Sequence, residues 1–180
     1  MSACYLDVST TSSVQGISKN FIFELMLETK EFKFTSTPEK GEVSALLVRP
    51  DTATHLLVLG HGASSNMRTP MLGAIAEGLA GHNIATFRYN FPYSEKCGGR
   101  NSQATVTETI RSAVQAARGV CPDLPVFAGG HSFSGRMTST AQSESPINGV
   151  KGLVFFSFPL HPAGEPAITR AEHLFRVEVP

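Results

Sequence analysis

The segment from Pro125 to Met137, PVFAGGHSFSGRM, constrains the fold more than any other part of the chain. Its first residues form a short apolar run that is typical of a buried strand, and the residues from Phe133 onward favour a helix. Gly130 stands two residues before Ser132, and a small residue there allows the helix to turn back closely onto the strand. The segment therefore predicts a tight strand-to-helix turn with Ser132 at its apex. In the alternative interpretation, Ser132 is an ordinary N-cap residue.

Beyond residue 54, uninterrupted apolar runs alternate with segments whose apolar residues recur at helical spacing. Such an alternation predicts a mainly parallel sheet with helices on both faces, which is an α/β fold of three layers. Two further strands between residues 31 and 48, joined by turn residues at 38–41, predict an antiparallel hairpin at the edge of this sheet. The predicted parallel strands are residues 55–60, 84–89, 125–129 and 150–157.

Length and composition indicate one domain preceded by a leader. A chain of 180 residues, 41% of them hydrophobic, is long enough to bury a substantial core. Residues 1–29 begin with a stretch rich in serine and threonine, and we expect them to form a loosely ordered leader. Residues 30–180 are predicted to form the folded domain.

Charge and cysteine content argue against several classes of partner. Fifteen basic and fifteen acidic residues cancel, and without a basic patch neither nucleic acid nor an anionic membrane surface is expected as a partner. No segment approaches the length of a membrane span, and the first residues lack the basic and apolar regions of a secretory signal. Three widely spaced cysteines fit a reduced compartment, so we expect a cytoplasmic protein. The cysteines and histidines show no metal-ligand spacing, and we expect neither a metal nor a cofactor.

Polar residues follow several of the predicted strands. In parallel sheets with helices on both faces, ligands bind beyond the carboxyl ends of the strands. This placement favours a functional role for Ser132 over a simple helix cap. The residues at these predicted ends are His61, Asn90, Ser132 and His161.

Four motifs occur in order along the chain: GHGA at 60–63, FRYNFPY at 87–93, GGHSFSGRM at 129–137 and FPLHPAGEP at 158–166. Together they resemble the small, lidless α/β-hydrolases related to dienelactone hydrolase, over roughly residues 30–180. The resemblance implies a serine hydrolase that acts on a small ester or related acyl substrate. Ser132 would be the nucleophile, at the strand-to-helix turn known as the nucleophile elbow.

The resemblance also implies which groups surround the nucleophile. In this fold the backbone amide after the nucleophile, here that of Phe133, stabilises the oxyanion together with an amide from the loop after the first central strand. In that loop we expect the second donor to be Ala63. The residues expected to line the pocket are His61, Gly62, Asn90 and His161.

Two departures from the family pattern bear on activity. Ser134 stands where the second glycine of G-x-S-x-G is expected, and its side chain would alter the packing of helix on strand. The family's catalytic acid and histidine follow the nucleophile, yet no aspartate follows Ser132. We therefore expect that the C-terminal part of the hydrolase domain is missing and that this chain is inactive as it stands. His161 is the alternative base for a Ser–His dyad, but the resemblance places it in a loop separate from the family's catalytic histidine. A non-catalytic scaffold or binding protein with this fold is the alternative function.

Overall fold

A six-stranded sheet lies at the centre of the protein. The computed structural model describes residues 28–95, 99, 101–162 and 164–180, so nearly all of the predicted leader lies outside the described residues. The strands are β1 (Thr29–Thr37), β2 (Gly41–Val48), β3 (His55–Gly60), β4 (Ile84–Tyr89), β5 (Val126–His131) and β6 (Val150–Phe156). The helices are α1 (Pro70–Ala80), α2 (Pro92–Glu95), α3 (Gln103–Val120), α4 (Phe133–Glu144) and a 3-10 helix (Glu172–Arg176).

The strand order is β1-β2-β4-β3-β5-β6. Strands β4, β3, β5 and β6 pair in parallel, whereas β1 pairs with β2 and β2 with β4 in the antiparallel sense. The predicted sheet and its antiparallel edge are therefore confirmed. This order also sets the carboxyl ends of β4, β3 and β5 side by side. Asn90, His61 and Ser132, which follow these three strands, consequently lie along one edge of the sheet.

Strand β3 shows why the central runs are apolar throughout. Leu56 and Val58 belong to the larger core, which also contains apolar residues of α3 and α4. Leu57 and Leu59 point to the other face and pack with Leu72 of α1. A strand that is covered on both faces must be apolar at consecutive positions. The helices therefore form a layer on each face of the sheet, as the fold class requires.

Local signals set the ends of the helices. Pro70 occupies the first turn of α1, where its missing N–H is not needed. Helix α3 begins after Ser102, whose Oγ accepts a hydrogen bond from the Thr105 N–H at 3.2 Å. Within the part of the chain that the structure describes, no helix combines the length and the apolar character needed to cross a bilayer.

Strand β5 continues two residues beyond the predicted end at residue 129. Its last residues still have partners on both sides: Gly130 pairs with Gly60 of β3, and His131 pairs with Phe156 of β6. Backbone pairing thus carries the strand through a glycine that the sequence pattern assigned to a turn. The short helices, α2 and the 3-10 helix, were not predicted, because segments of four or five residues carry no helical periodicity.

Candidate active site

Ser132 occupies a strained position between β5 and α4. Its φ of 53° and ψ of −107° lie in a region that residues with a side chain rarely adopt. The turn is held by two backbone bonds: the Ser132 N–H donates to the Phe156 carbonyl at 2.8 Å, and the Ser132 carbonyl accepts from the Arg136 N–H at 3.2 Å. The Ser132 side chain makes no capping bond to α4. The residue therefore opens the helix without acting as a side-chain cap.

Ser134 fits at the elbow because two glycines leave room for its side chain. A Cβ at Gly130 would overlap the Ser134 hydroxyl, and a Cβ at Gly60 would lie 2.6 Å from the Cβ of Ser134. The Ser134 hydroxyl donates to the His131 carbonyl at 3.2 Å and is fully buried. The paired strands β3 and β5 thus accommodate a serine where the family pattern has a glycine.

A small cavity of about 50 Å³ brings the two predicted oxyanion donors together. Ala63, in the loop after β3, and Phe133, the first residue of α4, both line it. Tyr93 and Asn101 complete the lining, and neither was predicted from the sequence. The Tyr93 N–H donates to Oδ1 of Asn101 at 3.0 Å. A cavity of this size has room for several water-sized groups, so it can take a carbonyl oxygen together with the atoms bonded to it.

His61 is fully buried and joins the ends of β3 and β4. Its Nδ1 donates to the Gly62 carbonyl at 2.7 Å, and its Nε2 accepts from the Phe91 N–H at 3.2 Å. This pair of bonds requires the neutral ring with the proton on Nδ1. Burial lowers the pKa of His61 to about 4, so the ring stays neutral at physiological pH. His61 is therefore a connection between two loops at the sheet edge.

Asn90 makes a second connection at this edge. Its Oδ1 accepts from the Met67 N–H at 2.8 Å, and its Nδ2 donates to the Glu95 carboxylate at 3.0 Å. The same carboxylate oxygen accepts from the Ser44 N–H at 2.6 Å. Burial opposes ionisation of Glu95, but these donors keep its pKa below the ordinary value. The amide of Asn90 thus ties the loop that contains Ala63 to α2 and β2.

No histidine bonds to the hydroxyl of Ser132 among the residues that the structure describes. His161 is exposed, and its Nδ1 donates to the Pro162 carbonyl at 2.7 Å. His131 precedes Ser132, and its ring lies beside Gly62, where a Cβ would be 3.2 Å from Nδ1. His173 bonds to Ser139 of α4 at 2.6 Å. Burial and then the neighbouring Arg136 and Arg176 lower the pKa of His173.

Another cavity, of about 570 Å³, is larger and lies away from the elbow. Its lining contains no residue of the loops around Ser132 and includes Lys30 and Glu28, which form an ion pair at 3.5 Å. The candidate site at Ser132 is therefore not in the larger of these two cavities. Within the described residues, no three histidine, cysteine, aspartate or glutamate side chains are grouped to hold a metal ion. The residues that line this cavity are Glu28, Lys30, Phe32, Leu47, Arg49, Asp51 and Val120.

Comparisons with known proteins agree with this architecture. The chain matches a family model described as alpha/beta hydrolase domain over residues 53–180. It is similar to the solved dienelactone hydrolase from Anabaena variabilis, with a TM-score of 0.58 and 20% identity over 71% of this chain and 62% of that one. An alpha-beta serine hydrolase homologue from Coxiella burnetii gives a TM-score of 0.62 and 17% identity over 75% of this chain and 65% of that one. A carboxyl esterase from Bacillus coagulans gives a TM-score of 0.60 and 17% identity over 72% of this chain and 44% of that one.

The chain spans less than two thirds of the length of each of these three solved proteins. At such identities the likeness to them concerns the fold alone. The family model, in contrast, matches well over half of the chain and includes both β3 and the elbow after β5. The chain therefore belongs to the α/β-hydrolase family.

Proposed function

We propose that this protein is a serine hydrolase that acts on an ester or related small acyl substrate, with Ser132 as the nucleophile. The observation that carries the proposal is the backbone at Ser132, where a residue with a side chain has a φ of 53° between a strand and a helix. Strain of this kind costs about 1–3 kcal/mol and is concentrated at functional sites. In the proposal, the folded domain of residues 30–180 supplies this site.

The proposed chemistry begins with attack on the substrate carbonyl. The Oγ of Ser132 forms a bond to the carbonyl carbon, the π electron pair moves onto the carbonyl oxygen, and the hydroxyl proton leaves to an acceptor. The amides of Ala63 and Phe133 are the proposed donors to this oxygen, since both residues line the small cavity. Each such donor is worth about 3 kcal/mol in related enzymes.

A base for this proton is not bonded to Ser132 among the described residues. Turnover by the 180-residue chain should therefore be slow. In serine hydrolases without a working triad, the oxyanion hole and substrate binding still give a rate about 10³–10⁴-fold above that in water. The same observation favours a second candidate function, a binding protein that keeps the hydrolase fold without catalysis.

Labelling with a fluorophosphonate tests the proposal, because this reagent reacts with activated serines and leaves a stable adduct. Because no base is bonded to Ser132 among the described residues, we expect slow labelling, with the adduct located on Ser132 by mass spectrometry and absent from the variant Ser132→Ala. Ser143→Ala is the matched control, since Ser143 lies on the same helix and its hydroxyl bonds to the Thr140 carbonyl. Slow hydrolysis of p-nitrophenyl acetate should disappear in Ser132→Ala as well. A folded chain in which Ser132 is not labelled would support the binding protein instead.

A further inference from the structure

We propose that the side-chain amide of Asn101 is a third donor to the oxyanion, beside the amides of Ala63 and Phe133. The inference rests on the proposed function and adds a residue to its catalytic machinery. Asn101, Ala63 and Phe133 line the same small cavity, together with Tyr93. Of these four residues, Asn101 has a side chain that ends in N–H groups, which can donate hydrogen bonds to a substrate oxygen.

The orientation of this amide follows from its bond to Tyr93. The Tyr93 N–H donates to Oδ1 of Asn101 at 3.0 Å, and the acceptor of such a bond must be the oxygen of the amide. The two hydrogen-bond donors of Asn101 are therefore on the other atom, Nδ2. A flip of the amide would set two N–H donors against each other at the Tyr93 backbone, so one orientation is strongly preferred.

Both ends of this contact are anchored. The ring of Tyr93 stacks on that of Phe91 with centroids 5.8 Å apart and an angle of 10° between the planes. The residue after Asn101 is Ser102, whose side chain caps α3 through the Thr105 N–H. The Asn101 amide is thus held on one side by the stack of the partly buried Tyr93 on the buried Phe91, and on the other by the start of a long helix. Donors fixed in advance stabilise a developing charge with little reorganisation, which is what an oxyanion hole requires.

The proposed hydrogen bond from Asn101 to the carbonyl oxygen becomes stronger as negative charge develops on that oxygen. In the substrate that oxygen is neutral, whereas after attack by Ser132 it carries the electron pair of the former π bond. A hydrogen bond to an ionised acceptor is about twice as strong as one between neutral groups. Asn101 should therefore affect the rate of the chemical step more than the binding of the reagent.

Three variants test the inference through the rate of fluorophosphonate labelling at Ser132. In this reaction Ser132 Oγ bonds to phosphorus, fluoride leaves with the bonding pair, the proton goes to solvent, and the phosphoryl oxygen takes the oxyanion position. Asn101→Ala removes the donor and should slow the maximal labelling rate by about 10²–10³-fold with little change in half-saturation. Asn101→Asp keeps an acceptor for the Tyr93 N–H and should be slower still. Asn148→Asp, the same exchange at an exposed residue just before β6, should label at the wild-type rate.

The pH dependence separates a donor from a structural residue. When the carboxyl of Asn101→Asp is protonated it regains an O–H donor, so its labelling rate relative to wild type should rise as the pH falls below about 5. If Asn101→Asp slowed labelling only through lost packing, the ratio of its labelling rate to that of wild type would not depend on pH. The inference is overturned if Ser132 is labelled and both Asn101 variants label at the rate of Asn148→Asp. Failure of the wild type to label Ser132 would instead overturn the proposed function, and this inference with it.

Discussion

Ser134 occupies the space that a side chain at Gly60 would need: a Cβ at Gly60 would lie 2.6 Å from the Cβ of Ser134. We therefore predict that Gly60→Ala destabilises the protein by about 1–3 kcal/mol, the usual cost of overpacking. Adding Ser134→Gly should recover part of the loss, because it removes two of the three atoms that lie within 3 Å of the new Cβ, the third being the Tyr89 hydroxyl oxygen. Urea unfolding of the single and double variants measures this coupling.

Gly78 provides the control for this prediction. A Cβ at Gly78 of α1 would meet nothing within 4 Å, so Gly78→Ala should stabilise the protein by about 0.5–1 kcal/mol through helix propensity. If Gly60→Ala is as harmless as Gly78→Ala, the packing explanation for Ser134 is wrong.

The contact of Asn90 with Glu95 predicts the result of exchanging the amide and the carboxylate. Asn90→Asp removes the donor to Glu95 and sets two carboxylates together, which should cost about 1–3 kcal/mol. In the double variant Asn90→Asp, Glu95→Gln, only one carboxylate remains, so the repulsion between like charges is removed, and the oxygen of the new amide can still accept from the Ser44 N–H. The double variant should therefore be more stable than Asn90→Asp alone. Strictly additive losses in a double-mutant cycle would contradict the prediction.

The buried ring of His61 predicts a dependence of stability on pH. Its pKa of about 4 in the folded chain lies below the ordinary value of 6.5, so the unfolded chain binds the proton more readily between these values. The free energy of unfolding should therefore fall as the pH drops from 6.5 to 4, by up to about 3 kcal/mol from this residue. Denaturant titrations across that range should show this fall in the free energy of unfolding in wild type. The control His55→Gln, which replaces an exposed imidazole, should show the same fall, whereas His61→Gln should show a smaller one.

The strained backbone at Ser132 predicts opposite effects on stability and labelling. Ser132→Gly accepts a φ of 53° without a side-chain penalty, so it should stabilise the protein by about 1 kcal/mol while labelling is lost. Ser132→Ala keeps a Cβ and hence the strain, and its stability should stay close to that of wild type. Equal stability of the glycine and alanine variants in thermal or urea unfolding would show that the turn carries no such cost.

The elbow was predictable because its signals are local. The apolar run of β5 lies within a few residues of Gly130 and Ser132. In the same way, the continuous apolar run of β3 indicates a strand that is covered on both faces. The role of Ser134 was not evident from the motif, since the space for it comes from Gly60 on a neighbouring strand, more than seventy residues earlier in the sequence.

The lining of the small cavity was predicted only in part. Ala63 and Phe133 follow from the resemblance to the hydrolase family, which names both positions. Asn101 lies on an irregular segment before α3 and reaches the cavity because Tyr93 holds it there. No periodicity or motif marks such a residue, because its placement is decided by packing between distant segments. For the same reason, the sequence shows His61 at a strand end without revealing that its ring is buried and neutral.

The backbone angles at Ser132 are unfavourable because its α-carbon has the L-configuration. For a residue of opposite chirality, a φ of 53° and a ψ of −107° would correspond to the common extended region, and the strain would vanish. The hydroxymethyl group and the α-hydrogen would then exchange places, so the hydroxyl would point elsewhere. A chain with D-serine at position 132, made by chemical ligation, should thus fold at least as well as the natural one and yet present no nucleophile. At this turn the direction of the side chain, more than the path of the backbone, is what the L-configuration maintains.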